Sequence, residues 1–180
     1  MPIGLFTPVS YLTTYALASG ISPAYSYQLL AILNAGSVLG RWLPGYVSDH
    51  LGRFNTMLFT VTLCVASTLA LWLPARGGVG LTTAYAAVFG FASGSNISLT
   101  PICVGQLCET RSFGRYYASC YTVVSFSSLT GLPIAGALIR AAGGEYWGLI
   151  VFTGVCYVAA LACFAAVRVM RCGWDPRVVW

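Results

Sequence analysis

The sequence carries very little charge. Only 7% of its 180 residues are Asp, Glu, Lys or Arg, whereas about a quarter of a typical soluble domain is charged. Lysine is absent, so all nine basic residues are arginines. Because 58% of the residues are hydrophobic, the chain cannot cover a globular surface with polar groups. This composition excludes an ordinary soluble domain and predicts a protein embedded in lipid.

Residue types that carry catalysis or bind metals are also scarce. His50 is the single histidine, and no catalytic triad, carboxylate pair or metal cluster falls within an apolar run. The seven cysteines lack metal-ligand spacing and are interpreted as small apolar packing residues. No basic patch with interleaved aromatics is present for nucleic acid. We therefore expect no enzyme activity, no metal, no cofactor and no nucleic-acid partner.

Long uncharged runs occupy most of the sequence. A bilayer core of about 30 Å needs roughly 20 apolar residues per helix. Lipid cannot satisfy free backbone polar groups, and no run alternates like a barrel strand, so the runs are predicted to be helices. The expected fold is all-α, a polytopic transmembrane bundle of about six helices. The predicted spans are 3–19, 26–48, 56–73, 81–104, 116–139 and 146–167.

The arginines predict the orientation of these spans. If successive links alternate sides, Arg76 and Arg140 lie on one side, and most other arginines share the opposite side, which the positive-inside rule makes cytoplasmic. These others are Arg53, Arg111, Arg115, Arg168, Arg171 and Arg177. We expect residues 1–167 to form one six-helix membrane domain and residues 168–180 a short cytoplasmic tail. The plasma membrane is the expected location, with the vacuolar membrane as the alternative.

Arg41 is the most unusual residue of the second span. Counted back from Asp49, it lies about 12 Å into the membrane, where a charge is costly. No acid lies deep in any span. Its partner is therefore either another chain or a missing half, or the anionic group of a substrate, which a guanidinium binds bidentately. The alternative is that Arg41 snorkels to the cytosol or bonds backbone carbonyls. We favour the substrate contact.

Other polar residues extend this candidate binding site. Four of them recur every seven positions and so lie near one helical stripe, which should face protein or water. They are Tyr27, Asn34, Arg41 and Ser48, with Ser37 beside them. Asn96, in the fourth span, is the second candidate for ligand contact. Interhelical hydrogen bonding without any ligand explains Asn96 equally well.

Asp49 marks the cytoplasmic end of the second span. The dipole of its own helix repels an acid at that position, so a neighbouring helix start or arginine should relieve it. The fifth span begins on the same side near Arg115. We expect Asp49 to contact that helix start and to hold a cytoplasmic gate, with an ordinary solvated turn as the alternative.

Glycines occur at spacings typical of close helix packing. Gly36 and Gly40 are four residues apart, as are Gly90 and Gly94, and such pairs let two membrane helices approach closely. Tight packing is the simpler interpretation. Pro101 and the Gly131 to Pro133 segment also predict bends at which a helix could flex.

The segment Gly45-Tyr-Val-Ser-Asp49-His-Leu-Gly52-Arg53 resembles the G-x-x-x-D-x-x-G-R loop signature of the major facilitator superfamily. With the preceding residues from Leu33 through Arg41, and Phe54-Asn55-Thr56 after it, the segment is similar to the fungal monocarboxylate-transporter-like branch. Further similar segments are Gly90-Phe-Ala-Ser-Gly94, Ser98-Leu-Thr-Pro101 and Leu129-Thr-Gly-Leu-Pro133-Ile-Ala-Gly136. The resemblance covers nearly the whole chain.

The resemblance implies the C-terminal half, helices seven to twelve, of a twelve-helix carrier. Such a carrier moves small organic anions or other small organic solutes by alternating access. The resemblance also implies that Arg41 contacts a carboxylate. The cytoplasmic gate would then be formed by Gly45, Asp49, Gly52, Arg53 and Arg115.

Two positions depart from the pattern of the family. Ser37 stands where animal members commonly carry an aspartate implicated in proton coupling, so symport with protons is an open question. Gly114-Arg115-Tyr116-Tyr117 replaces the common Gly-x-Arg-x-Gly, which puts the gate contacts of Arg115 in question.

The leading hypothesis is a secondary transporter for a monocarboxylate-like or other small organic solute. Six helices alone cannot close a cavity around a substrate, so the expected partners are the lipid bilayer, a small organic anion or metabolite, and a missing N-terminal half or a second copy. The alternative is a truncated half without independent activity, or a structural partner that works only as a dimer.

Overall fold

The structure, a computed structural model, describes residues 2–172, and six long helices account for most of that range. The helices are α1 (Pro2–Ala18), α2 (Pro23–Leu51), α3 (Arg53–Ser67), α4 (Val79–Leu107), α5 (Phe113–Ala141) and α6 (Trp147–Cys172). A π-helical turn, Thr68–Trp72, continues α3, and a short 3-10 turn, Thr110–Ser112, precedes α5. The expected all-α bundle is therefore confirmed. The last helix continues past Val167 to Cys172, and residues 173–180 of the expected tail lie outside the described range.

Four stretches of the described chain are long and apolar enough to cross a membrane. They are Arg53–Trp72, Val79–Leu107, Thr110–Ala141 and Trp147–Met170. The first two of the six predicted spans fall outside this set. α1 has 17 residues, fewer than the roughly 20 that a bilayer core requires. α2 is long enough, but Asn34 and Arg41 lower the hydropathy of its central part.

The contact between α2 and α4 is the most extensive helix contact in the bundle, and glycines create it. A methyl group on Gly36 would lie 2.8 Å from the carbonyl oxygen of Ala87. A methyl group on Gly40 would collide with the carbonyl of Phe91, and one on Gly94 with the carbonyl of Ser37. Both predicted small-residue pairs thus face each other, and the tight-packing interpretation of these glycines accounts for this contact.

Buried aromatic rings form the core between α3, α4 and α6. The rings of Trp72 and Tyr85 stack with centroids 4.8 Å apart, and those of Tyr85 and Phe89 stack at 5.1 Å. Tyr157 meets Phe89 edge-on at 5.9 Å. All four side chains are fully buried. Such rings bury large apolar areas and prefer these offset and edge-on geometries, so the stack fixes how the three helices lie against one another.

α5 is the most weakly held helix of the bundle. Gly131 and Ala135 are its only buried residues among those described. A methyl group on Gly131 would lie 2.9 Å from the side chain of Ile3, so the lack of a side chain at Gly131 allows α1 to pack closely against α5. Hydroxyl side chains along α5 bond carbonyls four residues earlier, as Ser119 does to Arg115 at 2.9 Å. Most of its surface therefore lacks a protein neighbour in this chain.

The links between helices collect at two ends of the bundle. At one end, the Gly52 turn joins α2 to α3, and the C-terminal part of α6 lies beside the start of α3 through Arg168 and Asn55. At the other end, residues of the α1–α2, α3–α4 and α5–α6 links line a single cavity. These are called the Gly52 end and the link end.

Candidate functional site

The residues predicted to contact substrate lie in two environments. Some are exposed on α2, and the others are buried in the bundle. Tyr27, Asn34 and Arg41 are exposed along one face of this helix, and Val38 between them is 67% exposed. Gly45 continues the same face, and a methyl group placed on it would meet no atom within 4 Å. These five residues define the α2 open face.

Arg41 lies on this face in the interior of α2. It is ten residues from Leu51, the end of α2, which corresponds to about 15 Å along the helix and half the thickness of a hydrocarbon core. Among the described residues, no acidic side chain comes within 4 Å of its guanidinium. At that depth of a membrane, an arginine would need a water-filled path or a partner group.

Two serines expected near this stripe lie on the packed side of α2 instead. Ser37 is only 8% exposed, and its backbone approaches Gly94 of α4. Ser48 is 2% exposed and donates a hydrogen bond to the Gly45 carbonyl at 2.7 Å. Of the four residues spaced seven positions apart, three are therefore exposed on one face of α2, and Ser48 is buried. Burial of Ser48 follows from the drift of a straight helix, about 20° for every seven residues.

Asn96 lies inside the bundle between α3 and α4. It is fully buried, and its Oδ1 accepts a hydrogen bond from Thr60 at 2.9 Å. Its Nδ2 donates to the sulfur of Cys64 at 3.3 Å. Its side-chain amide thus makes bonds between helices, as one of the two interpretations of the sequence expected.

An apolar cavity of about 340 Å³ borders Asn96. It lies among α1, α4, α5 and α6, and Thr100 and Tyr121 supply the other polar atoms at its wall. The remaining lining residues are Leu5, Phe6, Ile97, Val124 and Phe164. This space would accept an apolar group rather than a charged one.

The gate motif folds as a break between two helices. Gly52 has φ +87°, a conformation that side-chain-bearing residues rarely adopt, and it ends α2 and begins α3. The carbonyl of Gly52 accepts hydrogen bonds from the Thr56 amide at 3.1 Å and from its hydroxyl at 3.0 Å. Glycine at this position is therefore required by the turn itself.

The structure does not pair Asp49 with the start of α5. Both Asp49 and Arg115 are exposed, and no ion pair within 4 Å joins either to another described residue. The guanidinium of Arg115 lies 5.7 Å from the ring centroid of the adjacent Tyr116. Arg53, half-buried at the start of α3, occupies the same end. In the conformation described, the expected contact between Asp49 and the start of α5 is not formed.

A contact at the Gly52 end has no signal in the sequence that identifies both of its partners. Arg168 near the end of α6 is 9% exposed, and its Nε donates a hydrogen bond to Oδ1 of Asn55 at 2.5 Å. The bond spans 113 residues of sequence. An arginine just after the last apolar run was the available signal, but nothing local identified Asn55 as its partner.

A second missed feature is a cavity of about 630 Å³ at the link end, called here the link cavity. Arg76 and Glu145 both line it, together with aromatic side chains of α1 and α6. Its wall is formed by Tyr15, Ala18, Ser19, Leu73, Arg76, Gly144, Glu145, Tyr146, Trp147 and Ile150. Since these residues come from three separate links and the adjoining ends of α1 and α6, only their assembly in the fold reveals the cavity.

The chain is similar to several fungal membrane transporters. It is 38% identical over 171 residues to the MFS-type transporter opdF of Penicillium oxalicum, covering 95% of this chain and 40% of that protein. It is 37% identical over 175 residues to the riboflavin transporter MCH5 of Saccharomyces cerevisiae, covering 96% of this chain and 33% of that protein.

A relative named for efflux also matches. The agnestins efflux protein AgnL12 of Paecilomyces divaricatus is 33% identical over 153 residues, covering 85% of this chain and 34% of that protein. No family model matches the sequence. The chain thus spans about 33 to 40% of the length of these three relatives, along nearly all of its own length.

Proposed function

Because this chain belongs to the major facilitator superfamily, we propose that it forms a six-helix half of a secondary transporter that moves small organic solutes by alternating access. The observation that carries the proposal is Arg41, exposed on α2 about 15 Å from the end of the helix and without an acidic partner among the described residues. A charge there is tolerated where it faces a water-filled path or another protein surface.

The α2 open face suits an anionic solute. The guanidinium of Arg41 can donate two parallel hydrogen bonds to a carboxylate, and this geometry is what distinguishes arginine from lysine. The phenol of Tyr27 and the amide of Asn34 lie along the same face and can bond other polar atoms of the solute. Ser37 and Asn96 act in this proposal as packing residues that position α2 and α4, not as solute contacts.

A partner bundle completes the carrier in this proposal. Leu129 and Phe126 on α5 are 73% and 66% exposed, and Tyr46 on α2 is 68% exposed. A second six-helix bundle, either an N-terminal half or another copy of this chain, would cover the α2 open face and leave a solute path between the halves. The bilayer covers the remaining apolar surfaces, and the plasma membrane is the proposed location.

The gate residues would control access from the Gly52 end. Asp49 and Arg115 are unpaired with each other in the conformation described, so we propose that they approach in another state of the cycle. Gly45, with open space above it, leaves room for a helix of the partner bundle, and Gly52 supplies the sharp turn. Arg53 adds a positive charge beside it.

A chimera tests the proposal directly. The segment of the riboflavin transporter MCH5 that this chain matches would be replaced by this chain, and uptake of riboflavin and of a panel of radiolabelled small carboxylates would be measured in yeast vesicles. Transport of at least one solute is expected. Arg41→Ala should lower that transport at least about tenfold, as loss of a charge-assisted hydrogen bond predicts. Arg41→Lys should give an intermediate rate.

Arg140→Ala is the matched control. Arg140 is also exposed, but it lies in the last turn of α5 at the link end, away from the α2 open face. Its substitution should leave transport unchanged. A chimera that reaches the membrane at normal levels but carries no solute of the panel would contradict the proposal. So would equal transport by Arg41→Ala and the unsubstituted chimera.

A further inference from the structure

The link cavity is built by a network that centres on Tyr15. The phenol oxygen of Tyr15 accepts a hydrogen bond from the Gly77 amide at 3.1 Å. Its ring meets that of Tyr146 edge-on at 5.4 Å and that of Trp72 edge-on at 5.8 Å. One side chain of α1 therefore connects the turn before α4 to the turn before α6, and both turns carry a charged residue of the cavity.

The turn that carries Arg76 is held in an unusual conformation. Arg76 has φ +39°, the only positive value among the described residues other than glycine. The Gly78 amide donates to the Ala75 carbonyl at 2.6 Å, which closes the turn around Arg76. A methyl group on Gly77 would lie 3.0 Å from Ser19, so the turn also packs on the end of α1. Backbone strain of this kind concentrates at functional sites, where surrounding contacts maintain it.

Opposite charges line the cavity without neutralising each other. Arg76 and Glu145 are both exposed, and neither forms an ion pair within 4 Å with any described residue. The indole of Trp147, 61% exposed, lies beside Glu145 in the sequence and lines the same space. The volume of about 630 Å³ falls within the range of small-molecule sites. A cation, an anion and an aromatic surface thus face one open space.

We propose that the link cavity is a binding site for a small aromatic zwitterion. The carboxylate of the ligand meets Arg76, its ammonium meets Glu145, and its ring lies against Trp147. This site is separate from the α2 open face, since it lies at the link end of the bundle and shares no residue with that face. It would hold a solute at the mouth of the carrier.

A zwitterionic lipid headgroup offers the same pair of charges. The link cavity is formed at helix ends, where headgroups meet a membrane protein, and an ammonium can also bind an indole face. The experiment must therefore separate a free solute from a lipid. Three matched probes differ only in their charges: L-phenylalanine, 3-phenylpropionate, which lacks the ammonium, and 2-phenylethylamine, which lacks the carboxylate.

The test measures equilibrium binding of the radiolabelled probes to the full chain in nanodiscs of phosphatidylglycerol. Saturable binding of phenylalanine is expected. Arg76→Gln should weaken binding of phenylalanine and phenylpropionate about tenfold and spare phenylethylamine. Glu145→Gln should weaken phenylalanine and phenylethylamine and spare phenylpropionate. Arg140→Gln, an exposed arginine at the same end that does not line the cavity, should change none of the three.

Loss of folding and binding by lipid are separated by two further measurements. The thermal midpoint of each variant shows whether it remains folded, and Glu145→Gln tests the site independently of the strained turn. The same binding is then measured in nanodiscs of phosphatidylcholine, whose headgroup is zwitterionic. Unchanged affinity for phenylalanine in these nanodiscs supports a free solute as the ligand. Loss of phenylalanine binding in phosphatidylcholine alone identifies the lipid headgroup as the occupant and overturns the solute proposal. Absence of saturable binding in phosphatidylglycerol, or equal effects of both substitutions on all probes, would also overturn the site. Neither result bears on transport through Arg41.

Discussion

The phenol oxygen of Tyr15 and the backbone amide of Gly77 are joined by a hydrogen bond of 3.1 Å that bridges 62 residues of sequence. This bond ties α1 to the turn before α4 and places Arg76 at the wall of the link cavity. The bundle thus has one end organised by an aromatic hydroxyl and the other by the Gly52 turn.

Tyr15→Phe should loosen the link end. The ring contacts with Trp72 and Tyr146 would remain, but the Gly77 amide would lose its acceptor, which costs about 1 kcal/mol. Hydrogen exchange of the Gly77 amide should become faster, and L-phenylalanine should bind more weakly. Tyr27→Phe, at an exposed position on α2, is the control and should leave both quantities unchanged. Unchanged exchange at Gly77 in Tyr15→Phe would contradict the role of the hydroxyl.

Gly40→Ala should destabilise the bundle. The added methyl group would collide with the Phe91 carbonyl and separate α2 from α4, with a cost of about 1–3 kcal/mol in the free energy of unfolding. Unfolding titrations in mixed micelles would measure this. Gly45→Ala, in the same helix but with open space around it, should instead be neutral or stabilising by up to about 1 kcal/mol. Equal effects of the two substitutions would show that the helices do not approach as described.

Asn96→Ala and Asn34→Ala should have opposite signatures. Asn96 bonds Thr60 and Cys64 in the interior, so its loss should lower the free energy of unfolding by about 1–3 kcal/mol while solute affinity of the folded chimera is kept. Asn34 is exposed on the α2 open face, so its loss should weaken solute affinity and spare stability. Paired unfolding and transport measurements would check both. If the Asn96→Ala chimera kept its stability but lost affinity for the solute, Asn96 would be a solute contact after all.

Asn55 and Arg168 should couple energetically. A hydrogen bond to a charged group contributes about 1.5–3 kcal/mol, so Asn55→Ala and Arg168→Gln together should cost less than the sum of the two single changes. The free energies of unfolding of the four proteins give the coupling energy. Asn55→Ala combined with Arg140→Gln, at the other end of the bundle, should be additive. Additivity of both pairs would remove the proposed link between α3 and α6.

Asp49→Asn should impair the transport cycle more than solute binding. The charge of Asp49 is proposed to stabilise one state of the gate, so its removal should lower the turnover of the chimera and leave the apparent affinity near its original value. Glu109→Gln, another exposed acid after α4, serves as the control and should alter neither. Loss of solute binding with normal turnover in the Asp49→Asn chimera would contradict the proposed gate role of Asp49.

The number and limits of the helices could be read from the sequence because they depend on local properties. Six apolar runs predicted the six helices to within a few residues, apart from longer ends such as those of α2 and α6. The spacing of Gly36 and Gly40 was also informative, since small residues four apart on one helix indicate a surface for close approach whatever its partner. Helical periodicity also placed Tyr27, Asn34 and Arg41 on one stripe of α2, although Ser48, assigned to the same stripe, is buried.

Only the tertiary structure decided which distant residues meet. The environment of Asn96 depends on Thr60 and Cys64 of another helix, and Arg168 reaches Asn55 across most of the chain. The link cavity needs three links to converge on Tyr15, with Arg76 fixed in a turn whose conformation no local pattern predicts. Hydropathy and periodicity report how one segment meets lipid or protein. Hydropathy and periodicity do not describe which segments contact one another, and these contacts form the sites.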